Sequence, residues 1–194
     1  MKARDNPLRS ERVERLLPFQ PEWLGTDWNA IMDRLRRLSW RGAVVGPHGS
    51  GKTTMLQGLA ARLGQSDDWP APHLLQLGAE RGRGLTPDAL QSLLAAAGRG
   101  EFLMIDGAEQ IGPLNWCRIR RASESVVGMV ITSHRSGRLP TLLTTSTSPV
   151  TLERCLQRLL PGEALPFTPG QVRELWRRHR GNVREALWEA YSLL

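Results

Sequence analysis

Lysine is nearly absent from this chain: of its 26 basic residues only Lys2 and Lys52 are lysine, and the rest are arginine. A GC-rich coding sequence produces such a bias without selection on function, so the net charge of +7 suggests a nucleic-acid partner only weakly. Cysteine is scarce too. Cys117 and Cys155 show no CxxC spacing and no flanking histidine pair, which argues against a zinc site and a disulfide framework. Both are expected to be reduced packing residues in helices. Long apolar runs are missing: the longest, at 102–105 and 126–131, are strand-sized, so no membrane partner is expected. The opening Met1-Lys2-Ala3-Arg4-Asp5-Asn6-Pro7 lacks the apolar core of a signal peptide, and a cytoplasmic location is expected.

What is there suits one compact domain. A chain of 194 residues with 40% hydrophobic and 23% charged residues can bury a core and is too apolar to be wholly disordered. Residues 1–25 carry Pro7, Pro18 and Pro21 and read as an extended strap, with a helical turn at 10–17. Thr26 is placed to cap a helix that buries Trp28, Ile31, Leu35 and Leu38 and turns Arg34, Arg36 and Arg37 to solvent. The apolar Ala43-Val44-Val45 then runs into a glycine-rich loop and a helix at 53–63.

Strands are expected next at 74–77, 102–105, 128–132 and 141–145. Helices are expected from the Thr86-Pro87-Asp88 start, at 114–121, and from Ser148-Pro149 to a stop at Pro161-Gly162. Two shorter helices close the chain, one capped by Thr168 and one after Gly181. Alternating strands and helices give an α/β fold: three layers with about five mostly parallel strands and a small C-terminal helical lid. The expected division is a strap and helix at 1–40, a core at 41–162 and a lid at 163–194.

Chemistry concentrates at Gly46-Pro47-His48-Gly49-Ser50-Gly51-Lys52-Thr53. This is the P-loop spacing. Its glycines let backbone N–H groups wrap an anion, and the following helix aims its positive end at the same point. Lys52 would reach the terminal phosphates, Thr53 would offer its hydroxyl to Mg²⁺, and Thr54 would complete the loop's contacts. The expected ligands are therefore ATP and Mg²⁺. One of two lysines in the whole chain stands here. Glu101-Phe102-Leu103-Met104-Ile105-Asp106 matches a Walker B strand, which delivers an aspartate beside the P-loop to hold the metal.

Hydrolysis also needs a carboxylate to activate water. Gly107 stands where many Walker ATPases carry it, which leaves Glu109 as the nearest substitute, with Gln110 beside it and Glu80 as a weaker candidate. At the end of the fourth strand Thr132, Ser133 and His134 could all meet a γ-phosphate, with Ser133 and His134 preferred.

These elements, with the Gly181-Asn182-Val183-Arg184 segment, resemble an AAA+-type ATPase over roughly residues 41–194. The resemblance implies that Arg184 reaches from the lid to the phosphates. It also implies that a neighbouring subunit contributes an arginine, for which Arg135 and Arg138 are the candidates. Two departures stand out: Gly107, and a gap of only about eight residues between the fourth and fifth strands, where a parallel crossover needs a dozen or more. Either the usual helix is missing there, or the fifth segment pairs antiparallel or lies outside the sheet. His134 also resembles the switch histidine of transporter-type ATPases, whose LSGGQ-like signature is absent.

The leading expectation is a small ATPase that couples ATP binding and slow hydrolysis to lid movement and an unidentified protein partner. A non-hydrolysing ATP-dependent switch and a small-molecule kinase are the alternatives. Nucleic acid stays open as a partner, and the sequence sets no oligomeric state.

Overall fold

The computed structural model describes residues 16–65, 71–77, 85–160 and 165–194. The expected turn at 10–17 falls almost wholly outside them, and residues 78–84 and the Pro161-Gly162 stop lie wholly outside. Five strands form one sheet in the order β2-β3-β4-β1-β5. They are β1 (Arg41–Val45), β2 (His73–Gln76), β3 (Phe102–Asp106), β4 (Gly128–Ser133) and β5 (Thr141–Thr144). Every pairing is parallel. The helices are α1 (Trp28–Arg37), α2 (Lys52–Leu63), α3 (Pro87–Gly98), α4 (Pro113–Ala122), α5 (Pro149–Leu159), α6 (Pro169–Arg178) and α7 (Val183–Ser192).

Strand alternation divides the core between the two faces of the sheet. Phe102 and Met104 of β3 and Val130 of β4 point to one side, against Ile31 and Leu35 of α1 and Met55, Leu56 and Leu59 of α2. Leu103, Ile105, Met129 and Ile131 point to the other, against Leu90, Leu93 and Ala97 of α3 and Ile119 of α4. The result is three layers. A separate cluster joins α5, α6 and α7 through Leu152, Leu156, Leu159, Val172, Leu175, Ala186 and Leu187, with Leu16, Leu17 and Trp23 of the strap packed on it. The residue-162 boundary drawn from the sequence thus lies between α5 and α6, two helices that share this core.

Local capping rules explain most helix starts. Thr86, Ser148, Thr168 and Asn182 each accept a hydrogen bond from the backbone N–H three residues on, and Pro follows at the first helical position after the first three. At α1 the cap moves by one residue. Asp27, not Thr26, accepts from the Ala30 N–H at 2.8 Å, because its carboxylate is the group one turn ahead of that donor. Cys155 is buried in the α5–α7 core, which pushes its thiol up to about 12. Cys117 is exposed on α4 and is not a packing residue.

The fifth strand settles the sequence's open alternative: it belongs to the sheet, it is parallel, and the usual crossover helix is missing. Ser133, the last residue of β4, lies opposite Val45, while Thr141, the first of β5, lies opposite Ala43. The chain therefore retreats only two residues along the strand direction while crossing β1. That is roughly 12 Å in all, well within the reach of the 134–140 connection at up to ~3.5 Å per residue. The usual minimum for a parallel crossover assumes a return along a whole strand. The Pro140 carbonyl accepts from the Ala43 N–H at 2.8 Å and seats the end of the connection.

β4 is buried along its whole length, and at Gly128 a Cβ would overlap the ring of Phe102, which is fully buried on the paired strand. Gly128→Ala is therefore expected to lower the unfolding free energy by about 1–3 kcal/mol, the usual cost of overpacking. Urea denaturation reads this directly, and a midpoint equal to that of the unsubstituted protein would mean that β3 and β4 can separate cheaply.

Candidate functional site

β1, β4 and β3 are neighbours, so their carboxyl ends bring three segments together at one edge of the sheet. The loop after β1 turns back through two residues in the left-handed region, Gly49 at φ 67° and Gly51 at φ 86°, before α2 starts at Lys52. The Gly46 N–H donates to the Ser133 carbonyl at 3.2 Å, which pins the loop to β4. Ser50 Oγ donates to the Pro47 carbonyl at 2.8 Å and lies 2.6 Å from Thr145 Oγ1, just beyond β5.

Lys52 is only 9% exposed and spends all three N–H groups on neighbours. Its Nζ donates to the Gly46 carbonyl at 2.8 Å and the Pro47 carbonyl at 2.7 Å, and it lies 3.4 Å from His134 Nδ1. Burial lowers its affinity for a proton, opposed by the nearby Glu109 and Asp106 carboxylates. Thr53, in the first turn of α2, donates to Asp106 Oδ2 at 2.8 Å. Thr132 donates to Asp106 Oδ1 at 2.6 Å, and its oxygen accepts from the Gly107 N–H at 2.8 Å.

Pleat direction sorts the residues at the end of β4. Thr132 and His134 share one face, so both turn toward Asp106 and the loop. Ser133 points the other way: it is buried, and its hydroxyl accepts from the Arg135 N–H at 3.3 Å. Preferring Ser133 over Thr132 missed this, although alternation from the buried Val130 would have given the phase.

His134 joins the loop to the turn after β3. Its Nε2 lies 2.9 Å from Glu109 Oε1, and its Nδ1 lies 3.2 Å from the Gly46 carbonyl. With the ring proton on Nε2, the histidine donates to Glu109 and accepts from Lys52, which satisfies both contacts at once. The His48 ring packs on His134 with centroids 3.8 Å apart at 43°. Burial, then the neighbouring His134 and Lys52, lower the proton affinity of His48 below that of an ordinary histidine.

The Gly107 backbone explains why a glutamate cannot stand there. Gly107 has φ 83°, and a Cβ on it would overlap the Leu77 carbonyl, which accepts from Gln110 Nε2. The chain then makes a short 3-10 turn, Ala108–Gln110, which carries Glu109 to His134. Gln110 is turned away to β2. Glu80 lies outside the described residues.

The C-terminal helices meet the loop through Asn182: a Cβ on Gly49 would overlap the Asn182 side chain. Arg184 stands two residues on, exposed in the first turn of α7. Of the two arginines named for an intersubunit role, Arg135 is exposed. Arg138 is turned into its own chain, where it donates to the Ile111 carbonyl at 2.6 Å and lies over the Trp116 ring. Among the described residues no helix is long and apolar enough to cross a membrane.

No family model and no curated protein matches the chain. Among solved structures, PCH-2 of C. elegans is similar at a TM-score of 0.44 and 16% identity over 66% of this chain. The chain spans 43% of that protein's length.

Placing an acid directly after Asp106 should harm the protein. Gly107→Glu forces a side chain into a left-handed backbone pressed against Leu77, and a loss of about 1–3 kcal/mol is expected. A thermal midpoint within a degree of the unsubstituted protein's would show that the turn can relax.

Proposed function

We propose that this chain is an AAA+-like ATPase that binds ATP with Mg²⁺ in the loop Gly46–Thr54 and hydrolyses it slowly. The observation that carries this reading is the buried Lys52 ammonium, held only by two loop carbonyls and a histidine nitrogen. A cation whose charged form is penalised by burial, with no anion bonded to it, favours an incoming polyphosphate. The loop glycines and the N-terminus of α2 supply converging N–H groups around the same point.

The donors suit the metal as well. The Thr53 hydroxyl and the Asp106 carboxylate are hard oxygens 2.8 Å apart, the ligand type Mg²⁺ takes alongside water and phosphate oxygens. When bound, the metal would neutralise charge on the β- and γ-phosphates.

The residues have separable tasks. Lys52 exchanges its carbonyl partners for phosphate oxygens. Thr132 keeps Asp106 oriented through Oδ1, leaving Oδ2 for the metal. Glu109 is the general base: freed from His134, it takes a proton from the water that attacks the γ-phosphorus as the bond to the ADP oxygen breaks. The released His134 Nε2–H can then donate to the γ-phosphate. Arg184 reaches the phosphates from α7, and the lid passes the nucleotide state to a protein partner.

Lys52→Ala should weaken ATP binding at least about tenfold, since it removes a charge-assisted contact. Glu109→Gln should bind ATP normally and release phosphate at least about a hundredfold more slowly. Calorimetry and single-turnover phosphate release measure the two. ATP binding by the unsubstituted protein without phosphate release would favour the non-hydrolysing switch, a reading that the Glu109–His134 contact also supports. Turnover unchanged in Glu109→Gln would remove Glu109 from the mechanism.

A further inference from the structure

Among the described residues, two buried side-chain polar atoms lack a hydrogen-bond partner: Glu109 Oε2 and Arg138 Nη1. One is an anionic acceptor and the other a cationic donor. They lie on two segments that already grip each other at two points. His134 holds Glu109 Oε1 from the start of the 134–140 connection, and Arg138 holds the Ile111 carbonyl from further along it. The short turn carrying Glu109 is thus held at Glu109 and at Ile111 by the same connection, which also carries the unmatched Arg138 Nη1.

Leaving either atom buried without a partner is costly, and more so for a charged group. The Arg138 guanidinium is poorly placed for any role outside its own chain, because its Cζ lies over the Trp116 ring and its Nη2 is spent on Ile111. Burial lowers its proton affinity while the Glu109 charge raises it, so the two groups already sense each other.

We propose that Arg138 is the positioning residue for Glu109: its Nη1–H takes Glu109 Oε2 when the carboxylate gives up His134, so that Oε1 stays aimed at the reacting water. This rests on Glu109 being the base. A carboxylate released from His134 with its second oxygen unheld would turn about its side-chain torsions, and a misplacement of about 1 Å can cost up to a hundredfold in rate. Arg138 thereby does from within the chain what a glutamate fixed directly after Asp106 gains from its place on the strand end.

The test uses Arg138→Lys and Arg138→Met on the full chain, with Glu109→Gln and the double variant Arg138→Met/Glu109→Gln. Methionine keeps an apolar stem over Trp116 and removes the charge. Lysine keeps the charge and loses the fork. Arg138→Met is expected to lower kcat about tenfold or more with KM and ATP affinity within about twofold, and Arg138→Lys to recover a measurable part of that loss. Equal kcat in Arg138→Met and the unsubstituted protein overturns the proposal, as does a fall in both kcat and ATP affinity that lysine does not relieve. The thermal midpoints of the four-member cycle, taken with Mg²⁺ and a non-hydrolysable ATP analogue bound, decide the matter independently of turnover: Arg138→Met should shift the midpoint less in the Glu109→Gln background than alone. Additive shifts overturn the pairing even if the unsubstituted protein releases no phosphate, an outcome that would separately refute hydrolysis.

Discussion

The site is organised around one carboxylate. Asp106 closes β3 and takes a hydroxyl hydrogen bond on each oxygen, from Thr53 at the start of α2 and from Thr132 near the end of β4. Two charge-assisted bonds on one group fix its plane as well as its position. The sheet order makes this geometry available: β4 lies between β1 and β3, so a helix entered from β1 and a strand end on β3 can meet over it. The same Thr132 oxygen accepts from the Gly107 N–H, which starts the turn that swings Glu109 toward His134. Removing the carboxylate would leave the buried Thr132 hydroxyl and the exposed Thr53 hydroxyl without this acceptor.

The side chains of the site bond to one another. Lys52 is held by the loop, Thr53 by Asp106 and Glu109 by His134. The groups assigned here to nucleotide binding and catalysis thus already have internal partners, and binding would exchange them. Such an exchange lowers net affinity, because existing hydrogen bonds are given up for those to the ligand. In the proposed ATPase, the His134 contact would hold Glu109 until a phosphate competes for it.

Features set by local chemistry were legible in the sequence. The glycine spacing of the loop, the buried β3 ending in aspartate, and the caps at Thr86, Ser148, Thr168 and Asn182 each depend on a few adjacent residues. What escaped depends on contacts across the fold. Thr132 outranks Ser133 because of strand phase, which adjacent polar residues do not declare. β5 is parallel because its register starts two residues behind the end of β4, a fact of pairing rather than of loop length. Cys117 lies in a helical pattern like Cys155, yet one faces solvent and the other the α5–α7 core. Arg135 and Arg138 are equivalent in sequence, and only the Trp116 ring and the Ile111 carbonyl distinguish them.

The last link runs from the loop to the lid. Gly49 abuts Asn182, and Ser50 touches Thr145. Two residues on, Thr147 donates to the Gly181 carbonyl at 2.6 Å and accepts from Trp176 Nε1 at 3.1 Å. Gly181 itself sits at φ 82° with Thr147 and Trp176 close around it, so the entry to α7 has little room to change shape alone. In the proposed ATPase, the carbonyls that Lys52 must release belong to Gly46 and Pro47, in the loop that contacts both Thr145 and Asn182. A rearrangement of that loop cannot be absorbed locally, because its neighbours on both sides lead to the same glycine. The lid would register the nucleotide through this packed junction as well as through any arginine reaching for phosphate.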